Sequence, residues 1–173
     1  MIKKGITVLS IILLLCCCCM KMVRAYVLDS CRLPNKSCYY HIYSTDNHVI
    51  TAWNTAMSDW NSAVTTNFTA VGEDQGSSFL AVNAPSSSYF GKTYITSWGS
   101  SITGFTSVLN MGRYQVSSSS TFARGVANHE IGHLLGLDHN TTAVSIMNIT
   151  CDHYYTYTPQ TDDVNGVNAG YGG

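Results

Sequence analysis

The chain has 173 residues, enough for one domain with a core of its own. Charged residues make up 11% and apolar residues 45%, which excludes a disordered or supercharged chain. No basic stripe marks a nucleic-acid partner.

Lys3 and Lys4 precede an apolar run from Gly5 to Met20, and Val23-Arg24-Ala25 follows. A positive start, an apolar centre and a small residue at the end predict a secretory signal peptide over residues 1–25, cleaved after Ala25. The alternative is a membrane anchor, but the run falls short of the ~20 residues a spanning helix needs. A lipoprotein signal fits less well, because Leu13, Leu14 and Leu15 precede the cysteines in place of small residues. Residues 26–173 then form the mature domain, with ten acidic residues against five basic ones, a formal charge of −5. That charge favours solubility and says little about substrate, and the mature domain is expected to be a monomer free of membrane once the leader is cut. Cys16 to Cys19 leave with the leader, while Cys31, Cys38 and Cys151 remain in an oxidising compartment. Cys31–Cys38 would close a short loop, and Cys38–Cys151 would staple the first strand to a later loop. Either pairing leaves one thiol over.

Cys38 to Tyr43 is rich in β-formers and predicts a first strand. Asp46-Asn47 can cap a helix in which Val49, Ile50, Trp53, Met57, Trp60 and Val64 recur at three- and four-residue steps. Its two tryptophans, seven apart, share a face and belong to the core. Phe68–Val71 and Phe79–Val82 read as two further strands, separated by a turn at Glu73 to Ser77. A Ser-rich loop containing Pro85 leads to Lys92–Trp98, which alternates like an edge strand. Ser107–Met111 predicts another strand, and Ser117–Ser120 a linker that offers Ser120 as an N-cap. A helix then runs from Thr121 to Gly136, whose permissive backbone can end it. A last short helix is expected near Asp162 to Ala169. Strands gathered ahead of two helices indicate an α+β domain.

The predicted helix carries His129-Glu130-Ile131-Gly132-His133-Leu134-Leu135-Gly136-Leu137-Asp138-His139. Histidines at i and i+4 lie one turn apart on one face, so both imidazoles can reach one metal ion. Gly136 lets the chain turn back, and His139 can supply a third nitrogen. Three protein ligands leave a fourth position for water, the pattern of a catalytic zinc site. Glu130 stands beside the ligands without having to be one. The chain has only two glutamates and six histidines, so one glutamate and three histidines in this order are not a chance grouping. A purely structural zinc would leave Glu130 without a task.

This motif, with the Ser145-Ile146-Met147-Asn148 segment eight residues beyond His139 at its methionine, resembles the matrixins, the metzincin branch of the matrix metalloproteinases. Asp162 to Gly172 resembles the matrixin closing helix and its Tyr-Gly end, and Tyr26-Val27-Leu28 the start of a mature catalytic domain. The resemblance implies a five-stranded mixed, twisted sheet with three helices. It also implies a secreted metalloendopeptidase that hydrolyses internal bonds of extracellular proteins in extended conformation. Its zinc ligands would be His129, His133 and His139, with a zinc-bound water activated by Glu130 and with Met147 as a hydrophobic floor. No cysteine-switch segment is found, since Cys31-Arg32-Leu33-Pro34 is not that motif, and no accessory domain is expected after Gly173. The family's second zinc has no ligands between Phe79 and Met111, so one zinc is expected. Calcium has only Glu73, Asp74 and backbone carbonyls to draw on. By the same resemblance Tyr154, Tyr155 and Tyr157 wall the specificity pocket. Gly125, at a position that limits pocket depth, implies a deep pocket for large apolar side chains. Asp162 and Asp163 either anchor the last helix, one of them on the Tyr26 ammonium, or form a plain acidic helix start. A metal-binding protein without turnover and a non-proteolytic amidase are the rival readings. The intact Glu130 opposes the first, and the methionine segment and tail oppose the second. Asn35, Asn67, Asn140 and Asn148 head glycosylation sequons, the last two awkwardly close to the motif.

Overall fold

A computed structural model of the chain describes residues 25–73 and 75–173. The expected leader over residues 1–25 lies outside them except for its last residue, as does Asp74 of the suggested calcium ligands.

Among the described residues seven strands and four α-helices follow in order, and a two-strand ribbon stands apart from the main sheet. The elements are β1 (Val27–Leu28), β2 (Ser37–Tyr43), α1 (Asn47–Val64), β3 (Asn67–Ala70), β4 (Ser77–Val82), β5 (Gly91–Trp98) and β6 (Ser101–Asn110). They continue with α2 (Tyr114–Ser118), α3 (Ser120–Leu134), β7 (Leu137–Asp138) and α4 (Thr161–Gly170). Five strands form one sheet in the order β3-β2-β4-β6-β5. All neighbours are parallel except β5, which runs antiparallel to β6 at the edge. The expected mixed sheet and three helices are present, and the short helix α2, which was not expected, runs into the start of the expected Ser117–Ser120 linker.

Helix α1 forms as its apolar spacing predicts: Val49, Ala52, Trp53, Ala56, Met57, Trp60 and Val64 are all buried. Asp46 caps it by accepting from His48 N at 2.8 Å. Trp53 packs on Phe79 of β4 with ring centroids 4.6 Å apart, which fixes α1 to the sheet. Two turns further along, Trp60 Nε1 donates to Asn128 O at 3.0 Å, which ties α1 to α3. The ribbon of β1 and β7 pairs Val27 with Asp138 and Leu28 with Leu137, so the start of the described chain holds the segment just before His139. Tyr171 closes the fold by donating its hydroxyl to Leu33 O at 2.6 Å.

The three described cysteines are unbonded, so neither Cys31–Cys38 nor Cys38–Cys151 is formed. Burial pushes the Cys38 thiol up to about 12, which keeps it protonated. Asn140 is buried and its amide donates to Ser145 Oγ at 2.9 Å, so the folded chain offers no acceptor for a glycan there. Among the described residues no helix is long and apolar enough to cross a membrane.

Candidate metal centre

Helix α3 begins one residue earlier than expected, with Ser119 rather than Ser120 as the cap accepting from Phe122 N at 3.2 Å. His129 and His133 follow one turn apart, with ring centroids 4.9 Å apart. The helix ends at Leu134, and Gly136 turns the chain at φ 86°, a conformation a side chain would strain. The reversal leads through β7 to His139, whose ring lies 4.8 Å from His133 and 5.0 Å from His129. One nitrogen from each imidazole falls within 4.8 Å of the others.

The hydrogen bonds aim these nitrogens. His129 Nδ1 lies 2.8 Å from Ile146 O and His133 Nδ1 lies 2.9 Å from Leu137 O. A carbonyl can only accept, so each Nδ1 carries the proton and each Nε2 presents a lone pair. Burial, with repulsion from the neighbouring imidazoles, holds both histidines below the ordinary imidazole value, so both are neutral at pH 7. His129 Nε2 and His139 Nε2 stand 3.0 Å apart. Two nitrogens bound tetrahedrally at ~2.0–2.1 Å would stand ~3.3 Å apart, so the set fits a zinc ion with little adjustment.

Glu130 is buried beside this centre, and its Oε2 accepts from Thr93 Oγ1 of β5 at 2.6 Å. Burial pushes its carboxyl up to about 7, against the Thr93 hydroxyl, which favours the ionised form. Met147 is buried against α3, where a β-carbon at Gly132 would collide with its sulfur. Asp163 holds this methionine segment. It accepts from Ser145 Oγ and, at 2.8 Å each, from Ile146 N and Gln160 N. Asp162 accepts from Asn140 Nδ2 at a long 3.5 Å.

A cleft of about 490 Å³ runs over the three histidines and Glu130. Phe90, Lys92, Thr93 and Ile95 on the β5 side form one wall, and Asn148, Ile149, Cys151 and His153 form the other. None of the four residues expected to shape the pocket lines this cleft. Tyr155 is 85% exposed, Tyr154 packs on Phe122, and Tyr157 lies under Arg124 with its carbonyl bonded to Asn128. Gly125 opens no depth, because the ring of His153 occupies the space above it. Thr93 and His153 were missed by sequence reasoning. Thr93 had a weak signal in the alternation of its strand, whereas His153 had none beyond its place after the methionine segment.

Comparison with known proteins agrees with this geometry. The matrixin family model matches residues 34–172. No curated protein matches the chain. Among solved structures, a chain of the "GM1 bound form of the ECX AB5 holotoxin" has a similar fold, with TM-score 0.60 at 16% identity over 83% of each chain. That likeness is one of fold alone. The family match extends far beyond the histidine motif, through every strand of the five-stranded sheet and the closing helix, and so the chain belongs to the matrixins, a family of zinc metallopeptidases.

Proposed function

We propose that this chain is a secreted, monomeric zinc endopeptidase that cuts internal bonds of extracellular proteins. The observation that carries the reading is the convergence of three imidazole nitrogens beside a buried carboxyl, in a cleft walled by an edge strand. His129, His133 and His139 hold the ion. Bound zinc supplies a Lewis acid that polarises a carbonyl and lowers the pKa of water toward 7.

The chain's own groups do the rest. Glu130 Oε takes a proton from the attacking water and returns it to the leaving amine. A carboxyl near 7 suits both transfers at neutral pH. Thr93 fixes one carboxylate oxygen, leaving the other to face the reacting groups. Among the described residues strand β5 has no partner on its outer side, so its backbone can pair with an extended substrate and lay one peptide bond across the histidines. Met147 packs below without touching substrate. The leader expected over residues 1–25 and the extracellular setting of the family support secretion.

The test uses the mature protein on casein or gelatin, with and without a zinc chelator, beside Glu130→Ala. Wild type should cut, chelation should stop it, and Glu130→Ala should retain zinc while losing about 10²–10⁴ in rate. Cleavage that survives either treatment would refute the proposal.

A further inference from the structure

We propose, resting on the endopeptidase reading above, that His153 is a stopper that closes the side-chain pocket beside the three histidines. It restricts that pocket to small residues such as Gly, Ala or Ser.

His153 reaches α3 from the loop that follows the methionine segment. Its ring meets Phe122 edge-on with centroids 5.3 Å apart, and lies 6.0 Å from the ring of His129. Between these two contacts on the same helix stands Gly125. A β-carbon there would lie 2.8 Å from His153 Cβ and 3.0 Å from Cγ. The helix has given up a side chain and the loop has supplied one, so the two exchange volume. Only 9% of His153 remains exposed, and it lines the cleft. Phe122, Gly125, Tyr154 and Tyr157 do not line the cleft, so it ends at the imidazole.

The ring is held in place. Its Nδ1 lies 3.4 Å from Thr156 O and 3.7 Å from Cys151 Sγ. The loop is wound into a turn by Tyr155 N and Thr156 N, which both donate to Asp152 O at 3.0 and 2.9 Å. Its far end is clamped by Asn128 Nδ2 on Tyr157 O at 2.8 Å and by Arg124 over the Tyr157 ring. Arg124 is itself fixed by two bonds to Asp59. A leucine or phenylalanine side chain would have to displace a packed ring and break this arrangement. A methyl group stops short of it. Apolar pockets of this kind discriminate by about 10–200-fold.

The test measures a ratio. Two peptides that differ only in alanine or leucine after the cut, and two peptide hydroxamates bearing methyl or isobutyl at the same place, are offered to the zinc-loaded protein. Wild type should favour the methyl member of each pair about tenfold or more, in kcat/KM and in Kd. His153→Ala should level or reverse both ratios, because the space over Gly125 and beside Phe122 opens. His153→Phe refills that space and should restore the preference. A wild type that takes leucine as readily as alanine overturns the proposal. So does a His153→Ala protein weakened equally on both members with its ratio unmoved, the result of a purely structural role. If His153→Ala does not fold, the wild-type ratio decides. If wild type cuts neither peptide, the proteolytic reading fails, and the hydroxamate ratio still decides the pocket.

Discussion

Replacing Asp163 by asparagine changes one atom and should damage both the fold and the metal centre. The carboxylate is 1% exposed and accepts three hydrogen bonds. In the Asp163→Asn protein the single amide oxygen can keep Ile146 N and Gln160 N. The amide nitrogen then points its hydrogens at Ser145 Oγ, which already accepts from Asn140 Nδ2 and Met147 N at 2.9 Å each. The Ser145 hydroxyl loses its acceptor, and one amide N–H gains none. Two buried unsatisfied groups at ~1–3 kcal/mol each give a cost of roughly 2–6 kcal/mol. For a domain of this size that is a fall of about 4–24 °C in Tm. The effect should reach the zinc, because Asp163 fixes Ile146 N while Ile146 O orients His129 Nδ1. Loss of such an outer partner weakens metal binding by about 10–100-fold. Thermal unfolding with and without chelator, and zinc competition against a chromophoric chelator, read the two effects separately. Asp162→Asn is the control, since its contact with Asn140 is long and its loss should stay within about 0.5 kcal/mol. An Asp163→Asn protein with Tm within about 2 °C of wild type and unchanged zinc affinity would refute the chain of contacts.

Three further outcomes follow from the packing. Gly132→Ala drives a methyl into the Met147 sulfur and should cost about 1–3 kcal/mol by urea unfolding, with weakened zinc retention. Thr93→Val removes the donor on Glu130 Oε2 while keeping the strand, and should lower kcat/KM about tenfold at pH 7 with zinc content unchanged. Tyr171→Phe should cost about 0.5–1.5 kcal/mol at pH 7 through the lost bond to Leu33 O. Burial raises the Tyr171 pKa in the folded chain, so its contribution is full below the unfolded value near 10 and is lost as pH rises beyond it. The gap between wild type and Tyr171→Phe in urea should therefore narrow above about pH 10, and a gap that widens there would reverse the sign of the argument.

The parts legible in the sequence are those fixed by short covalent spacing. His129 and His133 share a face because a helix repeats every 3.6 residues, and Gly136 marks the turn that brings His139 back. Helix α1 was readable from its apolar period and from the Asp46 cap. Other parts depend on partners far along the chain. Strand β6 starts at Ser101 rather than near Ser107, because Ser101–Gly104 lacks apolar alternation and is extended by pairing with β5. The β1–β7 ribbon is two residues long and joins segments more than 100 residues apart, so no local pattern announces it.

The same division runs through the centre itself. Its helical half is written in one motif, while its specificity half is settled by which side chain fills a shared space. A glycine at 125 reads as room for substrate only if nothing else reaches that room. Protein interiors pack near crystal density, and a gap beside a helix is filled by whatever neighbouring side chain can enter it. Here the neighbour is His153, 28 residues further along. The loop also carries three tyrosines, yet the turn at Asp152 sends Tyr155 outward and lays His153 against Gly125. Pocket depth in this chain is thus a property of the Gly125–His153 pair, and neither residue specifies it alone.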